Sequence, residues 1–326
     1  MRNHYLDTSK AILIFLVVFG HFIEQMIGWR QITSHTVLGV IYFVHMPAFI
    51  FISGLLFKDN NWIKNIIFFL SLYLPFQFLY PAFDAIWTGQ IRFNWFERPY
   101  WILWYMLGMM VWTALTHFLI RTPFPVLISV FLSLLVGLSP WNNYQYSIGR
   151  IFTFLPFFVV GCVYGKQIIQ VIQQYRYATI AGMLILSIIT VLVYSTQINR
   201  FWLYGSLSYS QLKVTDWDGI LIRAAILCIS ALGVFALFGC AKRLENHFIK
   251  LGSNTLAVYL LHGFVVILIT KYCHLHFNIF VNILICAMLS ILTCLILQQQ
   301  MFDRLLRKLS LWLIKPVEYF GRQKEH

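Results

Sequence analysis

Long apolar runs separated by short polar breaks dominate this chain. A helix crossing the roughly 30 Å hydrocarbon core of a bilayer needs about 20 mostly apolar residues. Ten such runs occupy residues 10–28, 37–57, 62–82, 101–120, 124–139, 150–166, 178–196, 219–240, 251–271 and 277–299. The fifth and sixth are short, and the fifth is flanked by Pro123, Pro125 and Pro140. The pattern predicts an all-α, polytopic transmembrane helical bundle of about ten spans. It forms one domain over residues 1–326, with a basic cytoplasmic tail from about 301.

Composition narrows this further. Of the 326 residues, 60% are hydrophobic and 11% charged, against about 25% charged in soluble domains. A water-soluble fold of this make-up would expose more apolar surface than solubility allows. The formal charge of +13 forms no continuous patch of the kind that binds nucleic acid. Lys and Arg punctuate the ends of the apolar runs instead, where they orient a membrane protein and attract anionic headgroups. With both termini placed in the cytoplasm, the outer segments hold Arg30, Arg92, Arg98, Arg150, Arg200, Lys213 and Lys271. Arg223 falls within a span, and the other sixteen basic residues lie inside. That bias follows the positive-inside rule and favours an even number of spans.

The N-terminal run is followed by His21, Glu24 and Gln25 without a small-residue cleavage site, so it reads as a retained first span. The six cysteines form no CxxC pair and lie in or beside apolar stretches, as buried small hydrophobes do; no disulfide framework or metal site is expected.

Two connections on the outer side are long, about 83–100 and 197–218. One carries Trp87, Arg92, Trp95, Glu97 and Arg98, the other Arg200, Trp202, Tyr204, Lys213, Asp216, Trp217 and Asp218. Aromatic rings among polar groups suit carbohydrate, although an interfacial aromatic belt needs no ligand.

Ionisable side chains inside a membrane are costly and mark function by default. His21, Glu24, His45 and His262 stand out, with Arg150 and Arg223 nearer the outer ends of their spans. His21 follows Lys10 by eleven residues, about 16 Å along a helix axis, which places it near mid-membrane. Glu24, at i+3, shares its face and can orient the imidazole as a general base requires. His45 enters from the second span at a similar depth. Metal ligation would need three or four ligands, and interhelical hydrogen bonding alone is the simpler alternative. For His262 a packing or network role competes with catalysis.

These residues carry a family resemblance. Lys10 followed by ten residues and His21 resembles the Arg-x10-His hallmark of the membrane acyltransferase-3 family. Tyr42-Phe43-Val44-His45-Met46-Pro47, Trp101-Ile102-Leu103-Trp104-Tyr105, Arg150 through Pro156-Phe157-Phe158 to Gly161, and Asn254 to His262 resemble later motifs, in order, of its fucose 4-O-acetylase-like branch. Lys10 stands where the family has arginine, so charge is kept and the bidentate fork lost. The hydrolase-like domain fused to some relatives is not seen.

The resemblance implies an acetyl-CoA-dependent O-acetyltransferase of the bacterial inner membrane, acting without a metal on a carbohydrate presented outside or linked to lipid. On that reading His21, Glu24 and His45 are catalytic and Lys10, Lys58 and Lys64 hold CoA phosphates. Arg150, Trp104, Tyr105, Arg223 and His262 then bind the acceptor. The competing class is a transporter or flippase for a lipid-linked sugar, which would use the same polar residues for proton coupling. The acyl group itself, acetyl or succinyl, is left open.

Overall fold

The computed structural model describes residues 3–90, 97–141 and 143–322, with side chains through Leu313. Arg2, Arg92, Trp95 and Lys324 lie outside the described residues, as do the side chains of Lys315 and Arg322. Helices follow in the order α1 His4–Met26, α2 Ile32–Leu56, α3 Trp62–Thr88, α4 Trp104–Leu119, α5 Pro125–Leu135, α6 Ile148–Gln174 and α7 Ala178–Thr196. They continue with α8 Arg200–Tyr204, α9 Asp216–Ala241, α10 Ile249–Ser253, α11 Thr255–Tyr272, α12 Ile279–Leu297 and α13 Gln300–Arg322. Among the described residues there is no strand.

Among the described residues, nine helical segments are long and apolar enough to cross a membrane. The tenth expected span is the shorter apolar stretch Pro125–Leu138, an α-helix that begins at a proline and ends in a 3-10 turn. Its direction is nevertheless that of a crossing. Trp104, which opens α4, and Arg150, which opens α6, line one cavity together. The two helices therefore start at the same end of the bundle, and α5 returns the chain between them. The final turns close on the opposite end, where Asn254 donates to the Gln298 carbonyl (2.8 Å) and Lys250 to Gln299 (2.9 Å). The start of α13 thus lies at the Lys10 end.

The bundle is organised around α1, which packs against α2, α9, α10, α11 and α12. Its first turn is stapled by the Tyr5 hydroxyl to the Phe238 carbonyl (2.6 Å) and by Thr8 to the His247 carbonyl (2.8 Å). α2 and α6 pack against each other at close quarters. A Cβ on Gly54 would collide with the Phe158 carbonyl, and one on Gly161 with the Phe51 carbonyl. Two glycines thus let the backbones meet directly, which is how membrane helices gain packing energy without a hydrophobic drive between them. At the periphery α7 and α12 expose Leu184, Ile188, Val191, Leu284, Ile291 and Leu295, as lipid-facing helices do.

Two regions depart from the expected plain loops and tail. The connection 197–218 is a folded cap. Asn199 caps α8, the Tyr209 amide donates to the Gly137 carbonyl (2.7 Å), and the Tyr209 hydroxyl donates to the Leu134 carbonyl (2.8 Å). The basic tail is helix α13, which packs on α3 and α11, with Ser310 and Ser71 hydrogen-bonded at 2.6 Å in a buried contact.

Candidate active site

Two cavities enter the bundle from opposite ends of the same helices. The first, about 360 Å³, is lined by Lys10, Ser53, Tyr105, Tyr259, Thr255 and Arg307 among apolar groups such as Phe49, Ile52 and Met109. The second, about 500 Å³, is lined by His21, Glu24, Tyr42, His45, Trp101, Trp104, Tyr144, Arg150, Arg200 and Tyr204. On α2, Phe49 faces the first and Met46 the second. Three residues of helix, about 4.5 Å of rise, therefore separate them. Tyr105 lies in the partition, its hydroxyl 2.6 Å from Ser53 Oγ and its ring centroid 5.2 Å from that of Tyr259.

Glu24 is the centre of the second cavity. Its Oε2 accepts from the Tyr42 hydroxyl (2.7 Å), and its Oε1 accepts from Trp29 Nε1 (3.2 Å) and from the Tyr204 hydroxyl. Three donors and no acceptor are the environment of an ionised carboxylate. The three rings also pack on one another, Tyr42 against Tyr204 at 5.0 Å and Trp29 against Tyr42 at 5.5 Å. Burial and the Glu24 charge push the Tyr204 phenol well above its ordinary range, so it remains a donor.

His21 sits beside this carboxylate. Its Nδ1 is 3.7 Å from Glu24 Oε2, an ion-pair separation rather than a hydrogen bond, and is buried without a partner. The ring meets Trp101 edge-on at 4.8 Å and stacks with His262 at 5.3 Å. Nε2 is the nitrogen left open to the cavity. Trp101 takes a positive φ of 31°, a strained backbone for a bulky residue, and so places its ring against the imidazole.

His45 and His262 share one device. His45 Nδ1 reaches back to the Ile41 carbonyl (2.6 Å), and His262 Nδ1 to those of Val258 (3.0 Å) and Tyr259 (2.8 Å). A nitrogen that donates to a carbonyl carries the proton, which leaves each Nε2 as an acceptor. His45 lines the cavity, whereas His262 is fully buried with its Nε2 sealed and unpartnered.

The other expected site residues are dispersed. Trp104 and Arg150 join His21, Glu24 and His45, while Tyr105 faces the first cavity. Lys10 lines that first cavity and is paired with Asp7 at 2.7 Å. Lys58 and Lys64 are exposed at the same end and line neither cavity. Arg223 is buried away from both, donating to Thr153 Oγ1 and to the Leu207 carbonyl (3.2 Å) between the rings of Trp202 and Tyr209. There it clamps the 197–218 cap onto α6 and α9.

Sequence reasoning did not assign Tyr42, Tyr204, Trp29, Trp101 or Arg307 to the site. Tyr42 stands three residues before His45, on the same helix face, and that spacing was the available signal. For Arg307 it was the amphipathic pattern of residues 300–313, apolar at Phe302, Leu306 and Leu309 with basic residues between.

The arrangement defines a multi-pass membrane protein with a half-buried carboxylate–histidine pair in the wall of one of two opposed cavities. Residues 3–298 match the family model described as an acyltransferase domain, and the chain belongs to the acyltransferase-3 family. It is a membrane acyltransferase. No curated protein and no solved structure matches the chain.

Proposed function

We propose that the protein transfers an acetyl group from cytoplasmic acetyl-CoA to a carbohydrate hydroxyl on the other side of a bacterial inner membrane. The observation that carries this reading is the pair of cavities ending within one helical turn of each other, with His21 and Glu24 in the second. The basic bias of the Lys10 end supports its placement in the cytoplasm. The aromatic walls of the His21 cavity and the likeness to the fucose 4-O-acetylase branch support a sugar acceptor.

On this reading Lys10 and Arg307 attract the phosphates of CoA at the mouth of the first cavity. The exposed Lys58 and Lys64 add only to the field there. The narrow, largely apolar cavity suits the pantetheine arm, which carries the thioester towards the partition. From the second cavity the acceptor hydroxyl attacks the thioester carbonyl while His21 Nε2 takes its proton. The C–S bond breaks, and the leaving thiolate recovers that proton from the imidazolium. The Glu24 carboxylate stabilises the imidazolium while it exists. His45, an acceptor at Nε2, holds a neighbouring hydroxyl of the sugar.

The test uses membranes containing the protein, acetyl-labelled CoA and glycans of the source cell. Wild type is expected to deposit base-labile label on carbohydrate, and His21→Ala and Glu24→Ala are not. Label transfer undiminished in both variants would refute the assignment. A wild type that ignores acetyl-CoA, with a glycan export defect on deletion, would establish the flippase class instead.

A further inference from the structure

Arg150 is held in an unusual setting. Its guanidinium carbon lies 5.4 Å from the ring centre of Trp104, 5.5 Å from Tyr144 and 5.2 Å from Tyr204. Among the described residues it makes no ion pair and no hydrogen bond. The rings attract the cation's face but leave its N–H fork, which suits an oxyanion, without an acceptor. Arg150 also occupies the first turn of α6, the end at which the helix dipole disfavours a cation and favours an anion. Helix stability therefore does not account for it.

The surroundings have the same sign. Arg150 lines both the His21 cavity and a neighbouring one of about 330 Å³. Arg200 lines the former, and Arg98 lines the latter with its guanidinium over the same Tyr144 ring at 5.5 Å. Against three arginines stand Asp84, in the second of these cavities, and Glu24, whose oxygens are already taken by Trp29, Tyr42 and Tyr204. Fixed cations in a low-dielectric cleft select ligands by charge.

We infer that the acceptor is an anionic glycan, whose carboxylate or phosphate is held by Arg150 while a hydroxyl of the same molecule reaches His21. This rests on the proposed acyl transfer for its consequence, but the anion site itself can be measured without turnover.

The probes are methyl β-glucuronide, glucose 1-phosphate and methyl β-glucoside, with the purified full chain in detergent. Saturation-transfer NMR reads binding, and acetyl-CoA-dependent transfer is followed on the same samples. At least one anionic probe is expected to bind roughly tenfold or more tighter than the neutral glucoside, as a charge-assisted hydrogen bond allows. Which of the two is preferred separates a uronate from a phosphate source. Arg150→Gln is expected to erase the preference, and Arg150→Lys to keep part of it. Arg200→Gln, at an exposed rim position, should weaken the preference about twofold to threefold.

Equal binding of charged and neutral probes, or no binding of any, overturns the anion site. So does a fall in kcat on all three acceptors alike in Arg150→Gln, which would make Arg150 a stabiliser of the reaction itself. Arg150-dependent anion binding without acetyl transfer keeps the anion site and sinks the acyl-acceptor reading. Transfer to all three probes at equal kcat/KM does the reverse.

Discussion

The Tyr204 hydroxyl donates to Oε1 of Glu24 across 180 residues of sequence, joining the folded 197–218 cap to the first helix. With Tyr42 on Oε2 and Trp29 on Oε1, it fixes the carboxylate that faces His21. Removing one donor leaves a buried charge under-satisfied, at a cost of about 1–3 kcal/mol. Tyr204→Phe is therefore expected to lower kcat by roughly 5- to 150-fold with the protein still folded. Tyr42→Phe should act similarly, and the double variant should lose less than the product of the two because both serve one group. Steady-state kinetics with acetyl-CoA tests this; a Tyr204→Phe enzyme with wild-type kcat would show that the cap does not tune the site.

The three histidines should separate by what their Nε2 atoms face. His21 is the open nitrogen beside Glu24, so His21→Ala is expected to cost about 10²–10⁴ in kcat, the usual weight of general-base catalysis. His45→Ala loses a cavity-wall acceptor and should raise the acceptor KM as well as lower kcat. His262 is sealed beneath His21. His262→Asn should therefore lower the detergent melting temperature more than the turnover number. A His262→Asn enzyme that is stable but inactive would contradict this division.

Much of this site is visible in the primary structure, and the division is physical. Hydropathy exposes the spans because each must carry its own apolar length. His21 and Glu24 are legible together because i+3 spacing on a helix guarantees a shared face. The same logic flagged Arg223 as an intramembrane charge, yet its partners Thr153 and Leu207 come from other elements and no spacing rule reaches them. Tyr204 is hidden for a similar reason, since its contact with Glu24 depends on how residues 197–218 fold. Lys58 and Lys64 show the converse. Charge at the right end of a span does not say whether a side chain turns into a cavity or into solvent.

The close approach of α2 and α6 makes a stability prediction independent of chemistry. Gly54 meets the Phe158 carbonyl and Gly161 the Phe51 carbonyl, so an added methyl strikes backbone rather than a side chain that can rotate away. Overpacking of this kind costs about 1–3 kcal/mol. Gly161→Ala and Gly54→Ala are each expected to lower Tm by roughly 2–12 °C, at about 2–4 °C per kcal/mol for a chain of some size. Thermal unfolding in detergent measures it. An unchanged Tm for both would mean that the two helices stand further apart than described.

The donor end gives the last prediction, and it turns on α13. Arg307 reaches the Lys10 cavity only because Ser310 and Leu306 bury the helix against its neighbours. Arg307 is itself shared with Asp303 at 2.6 Å, as Lys10 is with Asp7. Each cation is thus partly neutralised until a stronger anion arrives. An exchange of partners at a solvent-facing mouth is worth about 0.2–1 kcal/mol per charge. Arg307→Gln should therefore raise the acetyl-CoA KM by about 2- to 5-fold with kcat unchanged, the signature of lost ground-state binding. Asp303→Asn frees the arginine and should lower that KM. Lys58→Gln and Lys64→Gln, which touch neither cavity, should move it less than Arg307→Gln does. If the two lysine variants dominated instead, the donor would enter along the exposed face of α3 rather than beneath α13.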